Sequence, residues 1–328
     1  VTIKDVAAHV GVTDMTVSRV VNGSGAVSEA LRERVTNAIE ELGYVPNRLA
    51  RGLRSSRTHT IALVVTDVTN PFFTTIARGV EDAASDRENL VLLCNTDESE
   101  KEELRYLEML SQQSVDGVLL VPAKSGIAAR EFAVKRGLPI VMLDRRVPME
   151  DVSVVRCDSR EGAAAMARYL VGLGHRELAV LAGPVGVPTS DDRVAGFVGA
   201  LHDLGARANV LYGRFSTDSG RDGVERAMGT RPHPTALFAL NNFVTIGALQ
   251  KLNALGLRVP EDVALVGFDD LPPAMVGQPF LTVVSQPAYE MGRKAVEVLL
   301  DGLDGSAPPQ EILLPTELIV RRSSGDPL

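Results

Sequence analysis

The sequence predicts an α/β protein with an all-helical head: a helix-turn-helix in the first 45 residues, then two doubly wound parallel sheets. Three observations predict it. Charge is unevenly divided: residues 1–58 carry eight Lys/Arg against six Asp/Glu, and the other 270 carry 26 against 36. The head has apolar residues at helical spacing between short turn signals. Beyond Thr60, uncharged apolar runs alternate with amphipathic helical stretches, the pattern of βα units with helices on both sheet faces.

The head predicts three helices. Thr2 can cap the first, with Asp5 suiting its positive end. Ile3, Val6, Ala7 and Val10 then share a face, and Gly11 stops the helix. Thr13 caps the second. Val17, Val20 and Val21 point to one side, Met15, Arg19 and Asn22 to the other. Ser28 caps the third, with Val35, Ile39 and Leu42 inward and Gly43 at its end. Two helices joined by a turn as short as Gly11-Val12 form a helix-turn-helix. From Leu42 to Thr60 there are four arginines and no acid. Pro46 breaks the third helix, and Asn47 can cap a short new one bearing Leu49 and Leu53 among Arg48, Arg51 and Arg54. So few residues do not hold a helix alone in water, so this segment is expected to order only on a partner. A basic head beside an acidic body leaves only the head suited to a polyanion such as DNA.

In the body the predicted strands are Ile61–Val65, Leu90–Leu93, Val118–Val121, Ile140–Leu143, Leu178–Leu181, Ala236–Ala239 and Val263–Val266, with a further exit at Val284. Ligands of open parallel sheets sit beyond the carboxyl ends of the strands. At those ends stand Asn70, Phe72 and Phe73; Asp144 and Arg145; Arg193; Asn241 and Asn242; Asp269 and Asp270; and Gln286. Any one of these is an ordinary turn residue. Together, carboxylates, amides and aromatic rings suit a neutral polyol.

Other classes are excluded. There is no phosphate loop, no GxGxxG after a strand, no GxSxG elbow and no HExxH pair, so no enzyme, cofactor or metal is expected. The histidines at 9, 59, 175, 202 and 233 are scattered and read as structural. Cys94 and Cys157 make no disulfide framework. No apolar run is long enough to span a membrane. Lys4, Asp5 and His9 do not read as a secretory signal, so a cytoplasmic protein is expected.

The run VTIKDVAAHVGVTDMTVSRVVNG resembles the DNA-binding headpiece of the LacI/GalR (lac-repressor) family, and VSEALRERVTNAIEELGYVPNRLARGLRS continues the likeness through its third helix and hinge. The resemblance spans essentially the whole chain. It implies a headpiece at 1–45, a hinge at 46–58 and two lobes of a type I periplasmic-binding-protein-like fold joined by three crossovers. The lobes are expected at 59–158 with 288–320, and at 159–287 with 321–328. It places the second helix in the major groove, with Asp14, Met15 and Arg19 at base-reading positions, Asn22 nearby, and Thr16 and Ser18 on phosphates. Arg19 can pair bidentately with guanine and Met15 can touch a thymine methyl; Asp14 can accept from cytosine or simply suit its helix end. Leu53 matches the leucine that wedges into the minor groove. The segments TNPFF, LDR, DDRVAGF, LNN, GFDD and SQP, with Phe215, resemble the sugar-contacting segments of ribose-binding proteins and ribose-type repressors. Carried over, Asn70, Asp144, Arg145, Arg193, Asn241, Asp269 and Gln286 hydrogen-bond the sugar, and Phe72, Phe73 and Phe215 sandwich its ring. The family more often has Asn-Asp where this chain has Asn241-Asn242.

The resemblance thus implies a repressor binding double-stranded operator DNA as a homodimer, answering to a sugar such as ribose. The end at Leu328, without further apolar heptads, is expected of a dimer rather than a tetramer. A solute-binding transport protein fits the head poorly. A catabolite regulator with a phosphorylated carrier protein as co-effector, or a repressor answering to a purine, nucleoside or acidic sugar, stays open. Leu53→Ala is expected to weaken operator binding by a few kcal/mol at most and to leave sugar affinity unchanged. Fluorescence anisotropy on operator DNA and calorimetry on the sugar check this; equal losses of both place Leu53 in a core.

Overall fold

The structure, a computed structural model, describes residues 1–21, 24–44, 57–147, 151–271, 279–303 and 308–325. They fall into two units, Val1–Thr58 and His59–Leu328. Asn22, Arg48 and Leu53 lie outside the described residues.

The head consists of α1 (Ile3–Val10), α2 (Asp14–Val21) and α3 (Glu29–Leu42). The Asp5 carboxylate accepts from the Thr2 backbone N–H at 2.7 Å and its hydroxyl at 2.9 Å, which holds the Asp5 carboxyl below its usual range. Gly11 and Gly43 take left-handed φ of 75° and 61° and end α1 and α3. Val6, Ala7, Val10, Val17, Val35 and Ala38 form the core, ringed by half-buried Val20, Val21, Ile39 and Leu42. Arg34 Nη2 donates to Val10 O at 2.8 Å, joining α3 to the open end of α1.

The body has two lobes. The first comprises β1 (Thr60–Val65), α4 (Pro71–Ser85), β2 (Leu90–Asn95), α5 (Glu100–Gln112), β3 (Gly117–Leu120), α6 (Ile127–Arg136), β4 (Ile140–Leu143) and β5 (Ser153–Cys157). The second comprises α7 (Ser159–Gly172), β6 (Glu177–Ala182), α8 (Pro188–Asp203), β7 (Arg207–Tyr212), α9 (Thr217–Met228), β8 (Ala236–Ala239), α10 (Asn242–Ala254), β9 (Ala264–Phe268) and β10 (Thr282–Ser285). The chain returns to the first lobe for α11 (Ala288–Gly302) and β11 (Glu311–Leu314), then to the second for β12 (Glu317–Ile319). The sheet orders are β11-β5-β4-β3-β1-β2 and β12-β10-β9-β8-β6-β7. Among the described strands, only β12 runs antiparallel to its neighbour.

That last crossover corrects one expected boundary. Residues 317–319, expected in the first lobe with 288–320, pair with β10 of the second. Strands β5, β7, β11 and β12 had no uncharged apolar run to announce them. Arg156 on β5 is met by Glu311 on the adjacent β11 at 2.5 Å, a pairing visible only once the strands are side by side. β7 is an edge strand and alternates between covered and exposed residues.

Each sheet has a core on both faces. Helices on one face pack in pairs through glycines. A Cβ at Gly79 would lie 2.1 Å from Tyr289 O, one at Gly196 2.0 Å from Arg160 O, and one at Gly247 1.9 Å from Thr217 O. Close approach of α4 to α11, α7 to α8 and α9 to α10 therefore requires hydrogen at these positions. Gly247→Ala is expected to cost about 1–3 kcal/mol, through forced separation of α9 and α10. Gly199→Ala, on α8 with nothing within 4 Å, is expected to be neutral or stabilising by up to about 1 kcal/mol. Urea unfolding of both variants checks the contrast.

Candidate functional site

The carboxyl ends of the strands of both lobes face one cavity of about 400 Å³. Asp144 follows β4 in the first lobe and Asp269 follows β9 in the second. Both have left-handed backbone, φ 64° and 71°, which Asp tolerates better than most residues. The Asp144 N–H donates to Val155 O on β5 and the Asp269 N–H to Val284 O on β10, each at 2.9 Å. The same turn, in the same register, thus sets a carboxylate into the cavity from each side.

Arg193, near the start of α8, is the buried cation for both. Its Nη1 donates to Leu240 O at 2.7 Å and lies 3.9 Å from Asp269 Oδ2. Its Nε donates to Ser159 Oγ at 3.4 Å, and its guanidinium stands 3.8 Å from the centre of the Phe268 ring. Burial pushes the Asp144 carboxyl up to about 6 against the opposing pull of Arg193 and Arg145. Burial raises Asp269 as well, opposed by Arg193 and by the Gln286 hydrogen bond. Asp144 Oδ1 is buried without a protein partner. Such an oxygen accepts from whatever donor fills the cavity.

Asn70 and Asn241 cap the helices after β1 and β8, accepting from Phe72 N at 2.9 Å and Val244 N at 3.0 Å. Phe72 and Phe73 stand edge to face, 5.2 Å between centres, and line the cavity while belonging to the first-lobe core. Phe215 lies over Gly183, where a Cβ would come within 2.3 Å of its ring. That glycine lets the ring reach the cavity wall.

Two expected ligand residues stand differently. Gln286 is not on the cavity wall. Its Nε2 donates to Asp269 Oδ1 at 2.5 Å, so it orients that carboxylate from behind, while its buried Oε1 has no protein partner. Arg145 lines the cavity, but its Nη atoms are spent on Glu98 at 2.6 and 2.8 Å and on the carbonyls of Pro122 and Ala123. Only its Nε is left over. The sequence reading also passed over Asp97, Glu98, Lys124, Arg214, Ser216 and Phe243 on the wall. Asp97, Glu98 and Lys124 follow β2 and β3, so the strand-exit rule could have found them. Arg214 and Ser216 follow β7, which that reading did not recognise.

In the head, α2 buries Val17 and exposes Asp14, Met15 and Arg19. Met15 is 64% exposed, and Arg19 Nη2 lies 3.7 Å from its sulfur. The Thr13 and Thr16 hydroxyls are 3.0 Å apart at the helix start, and Ser18 is half-buried.

Residues 2–47 match the model of bacterial regulatory proteins, lacI family, and residues 167–324 that of a periplasmic binding protein-like domain. The HTH-type transcriptional regulator CelR of Thermobifida fusca is 40% identical, over 98% of each chain. The ribose operon repressor of Escherichia coli is 34% identical, over 98% of this chain and 99% of that one. A crystal structure of the lac repressor dimer bound to operator and an anti-inducer superposes with TM-score 0.89 at 28% identity, covering 99% of both chains.

The buried Asp144 implies a pH dependence. Its folded carboxyl titrates at about 6, above the roughly 3.9 of an unfolded Asp. The folded state therefore holds the proton more tightly. The stability from this proton is present at low pH and lost as pH rises from about 4 to about 6, a cost of at most about 3 kcal/mol at pH 7. Asp144→Asn keeps the left-handed turn and removes the charge. It is expected to unfold at higher denaturant than the parent at pH 7, with the difference gone near pH 4.

Proposed function

As the chain belongs to the LacI family of bacterial regulatory proteins, we propose that it is a DNA-binding transcriptional repressor controlled by a small sugar, ribose or a close pentose. It is a regulator and not an enzyme. The observation that carries the sugar reading is the pair of buried carboxylates, one from each lobe, with Asp144 Oδ1 unpaired. Acceptors of this kind are matched by adjacent hydroxyls, and Phe72, Phe73 and Phe215 offer the faces of a ring clamp. Two carboxylates around Arg193 disfavour an acidic sugar. A carrier-protein co-effector leaves these buried acceptors without a purpose. The name of the Escherichia coli relative supports ribose in particular.

In this reading, Arg19 and Met15 read base edges in the major groove, with Asp14 and Asn22 beside them, while Thr16 and Ser18 hold phosphates. Arg48 and Leu53 act from the hinge in the minor groove. The protein works as a homodimer on a roughly palindromic operator, because one small head offers too little surface for tight specific binding. The edge strand β2 supports a partner of the same kind, since it exposes Leu90, Leu92 and Leu93. Work on operator DNA puts the protein in the cytoplasm; among the described residues no helix is long and apolar enough to cross a membrane. The sugar contacts both lobes and so favours one lobe orientation, which changes the spacing of the two hinges in the dimer. Such coupling is typically about 1–3 kcal/mol.

Asp269→Ala is expected to bind operator as the parent does and to lose its response to ribose. Titration on operator DNA with and without ribose checks it. A variant that responds at the parent's ribose concentration overturns the proposed site.

A further inference from the structure

The two lobes touch directly beneath the cavity. Asn242, the first residue of α10 in the second lobe, donates from Nδ2 to Asn70 Oδ1 of the first lobe at 2.9 Å. Asn242 is fully buried and Asn70 is 5% exposed. Both amides are fixed in orientation. Asn242 Oδ1 accepts from Phe243 N at 2.8 Å, which turns its Nδ2 toward the first lobe. Asn70 Oδ1 accepts from Phe72 N at 2.9 Å, the bond that caps α4. Turning either amide over breaks a helix-start bond.

We propose that Asn242 is a latch that holds the two lobes closed before any effector arrives, and that it fixes Asn70 as a donor toward the cavity. Asn70 Oδ1 already serves two donors, so its Nδ2 is what it can offer a ligand. The cavity then presents carboxylate acceptors at Asp144 and Asp269 and an amide donor at Asn70. An aspartate at 242, the residue more usual in the family, has no proton to donate when ionised. It would set a carboxylate against the carbonyl oxygen of Asn70. Opposite charges also face each other between the lobes: Arg193 of the second attracts Asp144 of the first, and Arg146, more than half exposed, lies 3.5 Å from Asp192. Solvent screening weakens the Arg146–Asp192 pair. The amide pair is buried and directional, so it adds its own share to the closure. This inference concerns the lobes alone and does not depend on which sugar binds.

The test reads lobe separation in the full chain without effector or DNA. Nitroxide labels at Lys101→Cys on α5 and Asp222→Cys on α9, with Cys94→Ser, report the distance by pulsed dipolar spectroscopy. The parent is expected to show a predominantly short distance. Asn242→Asp keeps the acceptor for Phe243 N and loses the donor, so the closed-to-open ratio is expected to fall about fivefold or more, the scale of one buried hydrogen bond. Asn70→Asp keeps the acceptor for both donors and is expected to stay closed. If Asn242→Asp does not fold, Asn242→Ala gives the same readout, because it also lacks the donor. An effector-free parent that is mainly open, or a folded Asn242 variant with the parent's distances, overturns the latch. Operator binding and the Asp269 response are read in separate titrations, so a failure of the latch and a failure of the sugar site are distinguishable.

Discussion

Two buried carboxylates, Asp144 and Asp269, face buried guanidinium groups in the cleft of the body, and the arrangement around them follows from that. Asp144 and Asp269 are taken out of water, which raises both carboxyls, and Arg193 offsets part of the cost. Arg193 in turn needs its carbonyl, its hydroxyl and the Phe268 ring. What stays unsatisfied is Asp144 Oδ1 and Arg145 Nε at the cavity, with Gln286 Oε1 behind Asp269. In the proposed reading, a polyhydroxylated guest donates to the unpaired Asp144 Oδ1.

The doubly wound lobes supply the geometry. The same turn follows β4 and β9, with the same bond to the neighbouring strand, so the acids approach the cavity from opposite sides in matching fashion. Asn70 and Asn241 cap the next helix after β1 and β8 in the same way. Glycines at 79, 196 and 247 let covering helices approach backbone to backbone. The head is built on other terms. Its core is six small buried side chains, and α2 exposes Asp14, Met15 and Arg19. That division suits a small reading module joined to a separate sensing body.

The sequence by itself determined a great deal. The change from helical spacing to apolar runs near Thr60 is local, as are the caps at Thr2, Thr13 and Ser28 and the stops at Gly11 and Gly43. The structure has helices and strands where those signals stand. Strand ends lie next to strands in the chain, so Asn70, Asp144, Asn241 and Asp269 were legible as residues at exits, and all line the cavity. The LacI-family character was legible in the wording of the head.

Only the tertiary structure decided which partners those residues find. Nothing near Arg145 in the chain says that Glu98, forty-seven residues earlier, will take its Nη atoms. Nothing near Gln286 says that it will stand behind Asp269 rather than on the wall. On the adjacent charged strands β5 and β11, Arg156 and Glu311 meet, and β12 pairs with the edge of β10 in the second sheet. Asn242 was a departure without meaning until α10 set its amide against Asn70 of the other lobe. Local propensity and periodicity are written over a few residues and can be read in order. Hydrogen bonds and charge pairs between distant segments depend on which groups burial brings together, and that exists only once the chain is packed.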